Sequence, residues 1–472
     1  MMDNTLIPTE WVICKISEIA TVNPKKIEAD PDVTSGFVPM SHAPTDYAGR
    51  LQFDEKPWGE IKKSYTNFQN GDVIFAKVTP CFENGKAAVV EDLPNGIGAG
   101  SSEFYVLRAD APYVSEKLIY ALIKTHGFAT EGAQNMTGAV GLRRVPRKFV
   151  EDYAFPLPPL AEQKVIAEKL DKLLAKVDSI KARLDAVPDT LKRFRQSVLA
   201  AAVSGKLTKE WRGNSKNISS NYIEWGWTEI PDGWRVEAYC ELVESRLGKM
   251  LDKSKNTGLP TTYLGNINVR WFEFNLDNVQ EILVSESERS ELSLQHDDVL
   301  ICEGGEPGRC AIWKQETNEP IVFQKALHRA RVGGKISPTW LVYNLKNDAD
   351  NLMLSQLFTG TTIKHLTGKA LKKYPIRVPS LEEQTEIVRR VEKLFAYADK
   401  VEAEVNAAQD RVNKLTQSIL AKAFRGELTA KWRELNPEII SGENSAEALL
   451  EKIKAEREKL KPKKKARARK KA

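Results

Sequence analysis

Three polar side chains in the first part of the chain have the types that a magnesium-dependent nuclease uses. Asp32 is followed by Glu60 and Lys62, which matches the pattern of an Asp with a Glu-x-Lys in many nuclease sites. Carboxylate oxygens are suitable ligands for Mg²⁺, and a lysine can bind a phosphate beside the metal ion. The pattern is short and occurs in many unrelated chains, so a stand-alone metal-dependent nuclease is only the alternative hypothesis.

Other catalytic motifs are incomplete. The string from Gly360 to Gly368-Lys369 is too long for a phosphate-binding P-loop and lacks the Ser or Thr that should follow the lysine. The segment 96–100 offers GxGxG where a dinucleotide site needs GxGxxG. The five cysteines form no CxxC pair, so neither a zinc site nor a disulfide framework is indicated. We therefore expect no catalytic residue, no metal and no cofactor in this chain, and we interpret it as a binding and scaffolding protein.

Basic residues indicate a different chemistry, the neutralisation of nucleic-acid phosphates. The net charge of +6 does not establish it, because 461–471 alone contains eight basic side chains and the rest of the chain is slightly acidic. That segment is expected to bind polyanions without sequence preference. Specific binding needs basic residues on one face, although a solvated surface position is the ordinary alternative for each. The DNA-binding candidates are Lys62, Lys63, Lys77, Arg143, Arg144, Lys249, Arg309, Arg329, Lys364 and Lys369.

The chain that positions these candidates contains one sequence segment twice. Residues 158–212 align without a gap on residues 379–433. We call them the first and second helical repeats. Their matching strings are Leu160-Ala161-Glu162-Gln163 with Leu381-Glu382-Glu383-Gln384, and Gly205 to Trp211-Arg212 with Gly426 to Trp432-Arg433. A repeat of this length divides the molecule into two similar halves. The two Trp-Arg pairs are predicted to occupy equivalent positions and to pack each helix end onto a globule, with direct contact to a partner subunit as the alternative.

Both helical repeats carry apolar residues in alternating steps of four and three, from Ile166 to Val198 and from Ile387 to Ile419. A period of 3.5 residues predicts a coiled-coil seam. We therefore predict two antiparallel helices side by side, each roughly 60 Å long at 1.5 Å per residue. An ordinary helical bundle is the alternative. The predicted coiled-coil seam residues are Leu173, Ile180, Leu184, Leu394, Val401 and Leu415.

Local signals predict where these helices begin and end. Pro188 lies inside the first repeat and predicts a kink or a new helical start. Ser380 with Glu383 has the spacing of a capping box at the start of the second repeat. Gly205 and Gly426 lie where a helix is expected to end.

Residues 1–157 and 213–378 are each long enough for one domain with its own core. In each, an apolar strand (71–75 or 297–301) leads into a polar loop. We predict the α+β class, with two globular α/β domains separated by two long antiparallel coiled-coil helices in a pseudo-two-fold internal repeat. The predicted domains are 1–157, first globule; 158–212, first helical repeat; 213–378, second globule; 379–433, second helical repeat; and 434–472, C-terminal helix and basic tail.

The helical repeats resemble the conserved regions of specificity subunits from Type I restriction-modification systems, most of all those of the enterobacterial IA group. The strings that carry this resemblance are Pro159–Asp171, Leu191–Leu199, Gln417–Ala430 and Ser441–Ala446. The resemblance covers the repeats, the region after them and the domain order. Within the globules only the plan matches, which is expected where each family member reads a different target.

The resemblance implies that 1–157 and 213–378 are the first and second target recognition domains, each reading one half of an asymmetric bipartite target in double-stranded DNA. It implies that 158–212 and 379–433 are the central and distal conserved helical spacers, which fix the gap. It implies two methyltransferase subunits that carry S-adenosylmethionine and methylate adenine N6 after flipping the base. It also implies two translocase-nuclease subunits that use ATP and Mg²⁺, and no catalysis by the specificity subunit itself. A protein-only coiled-coil adaptor is a third hypothesis. The sequence shows no secretory leader and no long apolar run, so we expect a cytoplasmic protein without a membrane partner.

Overall fold

The computed structural model describes residues 7–139, 141–213, 215–252, 254–315 and 319–460. The basic segment 461–472 lies outside them. The chain divides into two compact units: Met1–Asp185 with Asn406–Ala472, and Ala186–Val405. Each globule thus shares a unit with helical segments from both repeats. No helix in the described ranges is long and apolar enough to cross a membrane.

The first unit contains two four-stranded sheets, in the strand orders β2-β9-β6-β7 and β4-β3-β8-β5. Its strands are β1 Val12–Lys15, β2 Ala20–Val22, β3 Thr34–Val38, β4 Asp54–Pro57, β5 Thr66–Gln69, β6 Asp72–Ala76, β7 Ala87–Val89, β8 Ile97–Gly100, β9 Phe104–Ala109, β10 Thr137–Ala139, β11 Leu142–Arg144 and β12 Ala154–Leu157. Its first helices are α1 Ile16–Ile19, α2 Trp58–Ile61, α3 Glu116–Ile123, α4 His126–Gln134, α5 Arg147–Asp152 and α6 Leu160–Asp185.

The second unit repeats this plan with the sheets β16-β22-β19-β20 and β18-β17-β21. Its strands are β13 Asn217–Tyr222, β14 Trp227–Pro231, β15 Arg235–Ala238, β16 Val243–Leu247, β17 Leu259–Leu264, β18 Gln280–Val284, β19 Val299–Cys302, β20 Cys310–Ile312, β21 Val322–Phe323, β22 Leu327–Val332 and β23 Pro375–Val378. The remaining helices of the chain are α7 Val187–Val203, α8 Tyr239–Leu242, α9 Glu286–Leu292, α10 Pro338–Asp350, α11 Gly368–Leu371, α12 Leu381–Phe424, α13 Ala430–Leu435 and α14 Ala446–Leu460. The predicted mixture of two α/β globules with long helices is confirmed.

A buried ion pair marks the same place in both central sheets. Asp72 at the start of β6 accepts two hydrogen bonds of 2.8 Å from Arg108 on β9. Asp298, just before β19, accepts bonds of 2.6 and 3.1 Å from Arg331 on β22. Both carboxylates are 1% exposed. Because an unpaired buried charge is costly, these pairs fix the register of the central strands.

Two antiparallel helical segments pack together within each unit. In the first, Lys169 on α6 donates to the Leu428 carbonyl at 2.7 Å, whereas Asp185 at the far end of α6 accepts from Gln409 at 2.8 Å. In the second, Arg195 on α7 donates to Asp399 on α12 at 2.7 Å. Residues later in one segment thus meet residues earlier in the other, as the heptad pattern predicts.

The buried stripe differs in detail from the predicted seam. On α6 the buried apolar positions are Ile166, Ala167, Leu170, Leu174 and Val177, which form the face turned toward the core of the first unit. Leu173 and Leu394 are half-buried against the cores of their units, and Leu184 and Val401 are half-buried as well. Ile180 and Leu415 differ from the prediction, because each is 44% exposed. The physical reason is that these helices bury a face on a globule as well as on a partner helix.

The predicted helix ends are confirmed at the proline and at both glycines. Helix α6 ends at Asp185 and α7 begins at Val187, with Pro188 in its first turn. Gly205 and Gly426 adopt positive φ angles of 75° and 70° just after a helix end, where an L side chain would be strained. The capping box is only half correct. Ser380 Oγ accepts from the Glu383 N–H at 3.2 Å, but the Glu383 carboxylate is bound elsewhere.

Candidate nucleic-acid interface

A buried polar cluster joins the helical repeats to the globule of the first unit. Glu162, at the start of α6, accepts hydrogen bonds from Trp11 Nε1 at 2.8 Å and from Thr429 Oγ1 at 2.5 Å. It also accepts from Arg433 Nη1 at 2.6 Å, and the Arg433 guanidinium lies over the Trp11 ring. Since Glu162 is fully buried, this cluster fixes the angle at which the helices leave the globule. We call it the first junction.

The second unit contains the same cluster, which we call the second junction. Glu383 accepts from Trp234 Nε1 at 2.8 Å, from Thr208 Oγ1 at 2.7 Å and from Arg212 Nη1. The Arg212 guanidinium lies over the Trp234 ring. The two Trp-Arg pairs of the repeats therefore do play equivalent parts, but the arginines make the contact with the globule. Trp211 is 46% exposed.

In the first unit, three loops and a hairpin are tied together where the central strands end. The Lys77 N–H donates to the Glu103 carbonyl at 2.9 Å, and the Val145 N–H donates to the Lys77 carbonyl at 2.9 Å. Lys86 Nζ donates to the Met40 carbonyl at 2.7 Å. These bonds gather four segments, 39–42, 77–85, 101–103 and 137–144 (its residue 140 is not described), which we call the first loop face.

The second unit gathers the equivalent segments with equivalent bonds. The Glu303 N–H donates to the Ala326 carbonyl at 2.9 Å, and the Leu366 N–H donates to the Glu303 carbonyl at 2.7 Å. Arg309 Nη2 donates to the Asn266 carbonyl at 2.8 Å. The segments 265–268, 303–309, 324–326 and 359–365 form the second loop face. Each of the three bonds described for the first loop face thus has a counterpart, although the residues that make them differ in side chain.

Three candidates from the sequence come together on the first loop face, where acidic residues partly neutralise them. Arg144 binds Glu103 with bonds of 2.9 and 2.7 Å, and Lys77 Nζ lies 4.0 Å from the same carboxylate. The hydrogen bond from Arg144 lowers the pKa of Glu103. Arg143 lies 3.8 Å from Glu83 and is half-exposed. These pairs hold the hairpin on the loop and leave the arginines at the surface, where they can exchange partners.

Lys62 and Lys63 lie apart from that cluster. They follow α2, beside the second sheet of the unit, and their carbonyls accept from Lys26 Nζ at 3.4 and 2.5 Å. Neither lysine has an ion pair within the described part of the chain. Within the same limits, no group of three or more His, Cys, Asp or Glu side chains could hold a metal ion.

In the second unit three candidates are tied to other parts of the fold, one of them buried and the other two, Lys249 and Arg309, half-buried. Arg329 is 3% exposed, donates to the Glu291 carbonyl at 2.8 Å, and has a pKa lowered by burial. Lys249 is paired with Glu288, whose pKa this bond lowers. Arg309 donates to Glu306 at 3.0 Å and to the Asn266 carbonyl. Its tether corresponds to that of Lys86, which indicates a structural role.

The exposed cations on and beside the second loop face are residues other than these three. Lys364 lies on the hairpin that closes at Thr359 and His365, and Lys369 lies on α11; both are exposed. The sequence reasoning missed Gln324 and Lys325, which form the turn between β21 and β22. Matching the globules strand by strand would have found them, because Ser101 and Ser102 hold the same positions between β8 and β9.

Comparisons with known proteins agree on one family. The family model described as Type I restriction modification DNA specificity domain matches residues 8–189 and 231–408. The EcoKI Type I restriction enzyme specificity subunit of Escherichia coli K12 is 36% identical over 472 residues, covering 96% of both chains. The StySPI specificity subunit of Salmonella potsdam is 33% identical over 474 residues, covering 97% of both.

Two solved structures share the fold. One is a chain from a study of complex assembly and conformational transition of the type I R-M system, with a TM-score of 0.69 and 20% identity, covering 89% of this chain and 99% of that one. The other is the HsdS subunit from Thermoanaerobacter tengcongensis, with a TM-score of 0.58 and 21% identity, covering 89% and 98%. At these identities the likeness concerns the fold alone.

Proposed function

This chain belongs to the family of Type I restriction-modification specificity subunits, and from that premise we propose that it reads an asymmetric, bipartite DNA target. Each loop face would meet one half-site in a groove of the duplex. The loops carry the base contacts, and the surrounding exposed cations, such as Lys364 and Lys369, neutralise phosphates. The chain itself performs no catalysis under this proposal.

One observation carries the proposal: the two loop faces share a hydrogen-bonded frame but differ in side chains. The bonds from Lys77, Lys86 and Val145 in the first unit correspond to those from Glu303, Arg309 and Leu366 in the second. An equal frame presents equivalent loops to DNA, while unlike side chains select unlike bases. Two readers in one chain therefore support a target with two different halves.

The helical repeats have a separate part in this proposal. They set the gap between the half-sites and dock two methyltransferase subunits, which bring S-adenosylmethionine and methylate adenine N6 after base flipping. Two translocase-nuclease subunits that use ATP and Mg²⁺ join the same core. Trp211, which is 46% exposed beside the second junction, is available for a subunit contact.

A globule swap tests the proposal. Residues 1–157 are replaced by the first globule of another family member, the chain is combined with its methyltransferase subunit, and methylated adenines are mapped by long-read sequencing. The expected result is a change in one half-site, with the other half-site and the gap unchanged. A matched chain with one heptad added to both helical repeats should change the gap alone.

Three results would overturn this function. A swap that rewrote both half-sites, or neither, would exclude two independent readers. Cleavage of DNA by the purified chain with Mg²⁺ would favour the nuclease hypothesis, and recruitment of the methyltransferase without any DNA shift would favour a protein-only adaptor.

A further inference from the structure

The second loop face contains a small cleft whose lining carries no charge. It encloses about 130 Å³ and is lined by asparagine, glutamine, tyrosine, glycine and isoleucine residues between 263 and 324. A phosphate or a metal ion would find no counter-charge there. The volume corresponds to roughly four water molecules at about 30 Å³ each, so it admits the edge of a group rather than a cofactor. The lining therefore suits a neutral ligand with both hydrogen-bond donors and acceptors.

Several polar atoms of this cleft are unused. Asn266 donates through Nδ2 to the Gly304 carbonyl at 3.1 Å, but its Oδ1 is buried and has no partner in the described chain. Gln280 accepts from the Tyr263 hydroxyl at 2.8 Å, which leaves its amino group free to donate. A buried acceptor without a partner is costly, so the cleft favours a ligand that brings a donor.

The side-chain amide of Gln324 has both its donor and its acceptor available for a ligand. Its backbone N–H is bound to the Leu264 carbonyl at 3.0 Å, while no residue in the described ranges hydrogen-bonds its side chain. That amide lies against Gly265: a Cβ built there would be 3.1 Å from Nε2 and 3.4 Å from Oε1. The contact orients the amide without consuming its donors or its acceptor.

The surroundings indicate which ligand this amide meets. Asn266 bonds to Gly304 on the strand-end loop, and Lys325 directly follows Gln324 as an exposed cation. Phosphate contacts position a protein on the duplex, and base contacts specify the sequence. The lysine can neutralise a phosphate while the neighbouring free amide reads a base. Among base edges in the major groove, adenine presents an acceptor at N7 beside a donor at N6, which a glutamine amide matches with two hydrogen bonds.

We propose that the Gln324 amide, seated over Gly265 in this uncharged cleft, reads an adenine in the half-site of the second globule. The inference rests on the proposed function and deepens it by naming a reader and its base. Ser101 occupies the equivalent position in the first unit, in the turn between β8 and β9, where its N–H donates to the Val38 carbonyl at 3.1 Å. Because the side chains differ at this shared position, the two half-sites should differ at the base it meets.

Methylation mapping of three variants, each in complex with the methyltransferase subunit, tests the proposal. Gln324→Ala should weaken the preference for adenine at one position of the second half-site by about 5- to 140-fold, as expected for loss of a bidentate contact. Gln324→Glu keeps the shape and should shift that position toward cytosine, whose N4 donates to a carboxylate. Gly265→Ala displaces the amide and should give a smaller loss. Gln295→Ala, at an exposed glutamine before β19 that belongs to neither loop face and to neither helical repeat, is the control and should leave every base preference unchanged.

The outcomes separate this inference from the proposed function. If the unmodified complex methylates a bipartite target but Gln324→Ala and Gln324→Glu leave every preference intact, the reader assignment is wrong and the function stands. An effect at a base other than adenine, or in both half-sites, would also overturn the assignment. A complex that shows no sequence preference at all would remove the proposed function, and the inference with it.

Discussion

Removal of the Glu162 carboxylate should lower the free energy of unfolding of the first unit more than almost any other single substitution. Glu162 is fully buried and accepts from Trp11, Thr429 and Arg433. Glu162→Ala leaves the Trp11 and Thr429 donors without this acceptor. Arg433 keeps its 3.2 Å bond to Thr429 Oγ1 and the Glu10 carboxylate at 3.9 Å. Hydrogen bonds to a charged group contribute about 1.5–3 kcal/mol each, and all three bonds here end on the Glu162 carboxylate. Because bonds to one group are not additive, we expect a loss close to the roughly 3–5 kcal/mol that follows removal of one partner of a buried ion pair.

The assay is urea denaturation of the full chain followed by circular dichroism, with a thermal melt as the second measurement. A loss of about 3–5 kcal/mol corresponds to a fall in Tm of roughly 6–20 °C for a unit of this size. Glu383→Ala should lower the stability of the second unit by a similar amount, since its carboxylate has the three equivalent partners Trp234, Thr208 and Arg212. The double variant Glu162→Ala with Arg433→Ala should cost less than the sum of the single changes.

The control is an ion pair of the same chemistry on the surface. Arg147 binds Glu151 at 2.7 Å, with side chains 56% and 34% exposed, and Glu151→Ala should cost no more than about 1 kcal/mol. If Glu162→Ala also cost under 1 kcal/mol, or if the double-variant costs were additive, the junction would not be what holds the helices to the globule.

Four further changes have definite expected outcomes. Leu170→Asp should cost at least 3 kcal/mol in urea denaturation, because Leu170 is fully buried and a buried unpaired charge is expensive, whereas Ile180→Asp, 44% exposed, should cost about 1 kcal/mol or less. Arg309→Ala should lower the free energy of unfolding, because it removes the tether to the second loop face; unchanged stability with one altered base preference would make it a reader instead. Burial lowers the pKa of Lys124 to about 8, from 10.5. Between these pH values the unfolded chain holds a proton that the folded chain has lost, so the free energy of unfolding should rise with pH over this window. Lys124→Met should remove that rise. Deletion of 461–472 should reduce non-specific DNA affinity and the slope of its salt dependence in a titration, since it removes eight cations, and a changed methylation target would show that the segment reads bases.

Local and repeated signals were readable from the sequence because they depend on residues close together in the chain. The heptads predict the long helices, Pro188 predicts the break between α6 and α7, and the two glycines predict the helix ends. The strand at 71–75 and the loop after it follow from composition in the same way. Such features are set by backbone preference and periodicity, which tertiary contacts did not override here.

Features that join distant residues were not readable in this way. The heptad stripe includes Ile180 and Leu415, yet burial also depends on which globule a helix covers, and a periodic pattern carries no information about that. Arg309 looked like a base reader because it is a charged residue in a loop. Only its bond to the Asn266 carbonyl, and the matching bond from Lys86 to Met40, show that it holds the loop in place.

The internal repeat separates the residues that hold each frame from those that would read DNA. Apart from the side-chain tethers of Lys86 and Arg309, the frame bonds use backbone groups. The Gln324 N–H to Leu264 and the Ser101 N–H to Val38 are examples, and they do not depend on the side chain at that position. A change from Ser101 to glutamine, or from Gln324 to serine, should therefore leave the turn intact. If the same residues carried both tasks, a new target would cost stability each time. Because the tasks lie on different atoms, one repeated architecture can present two unlike reading surfaces, and each can change without the other.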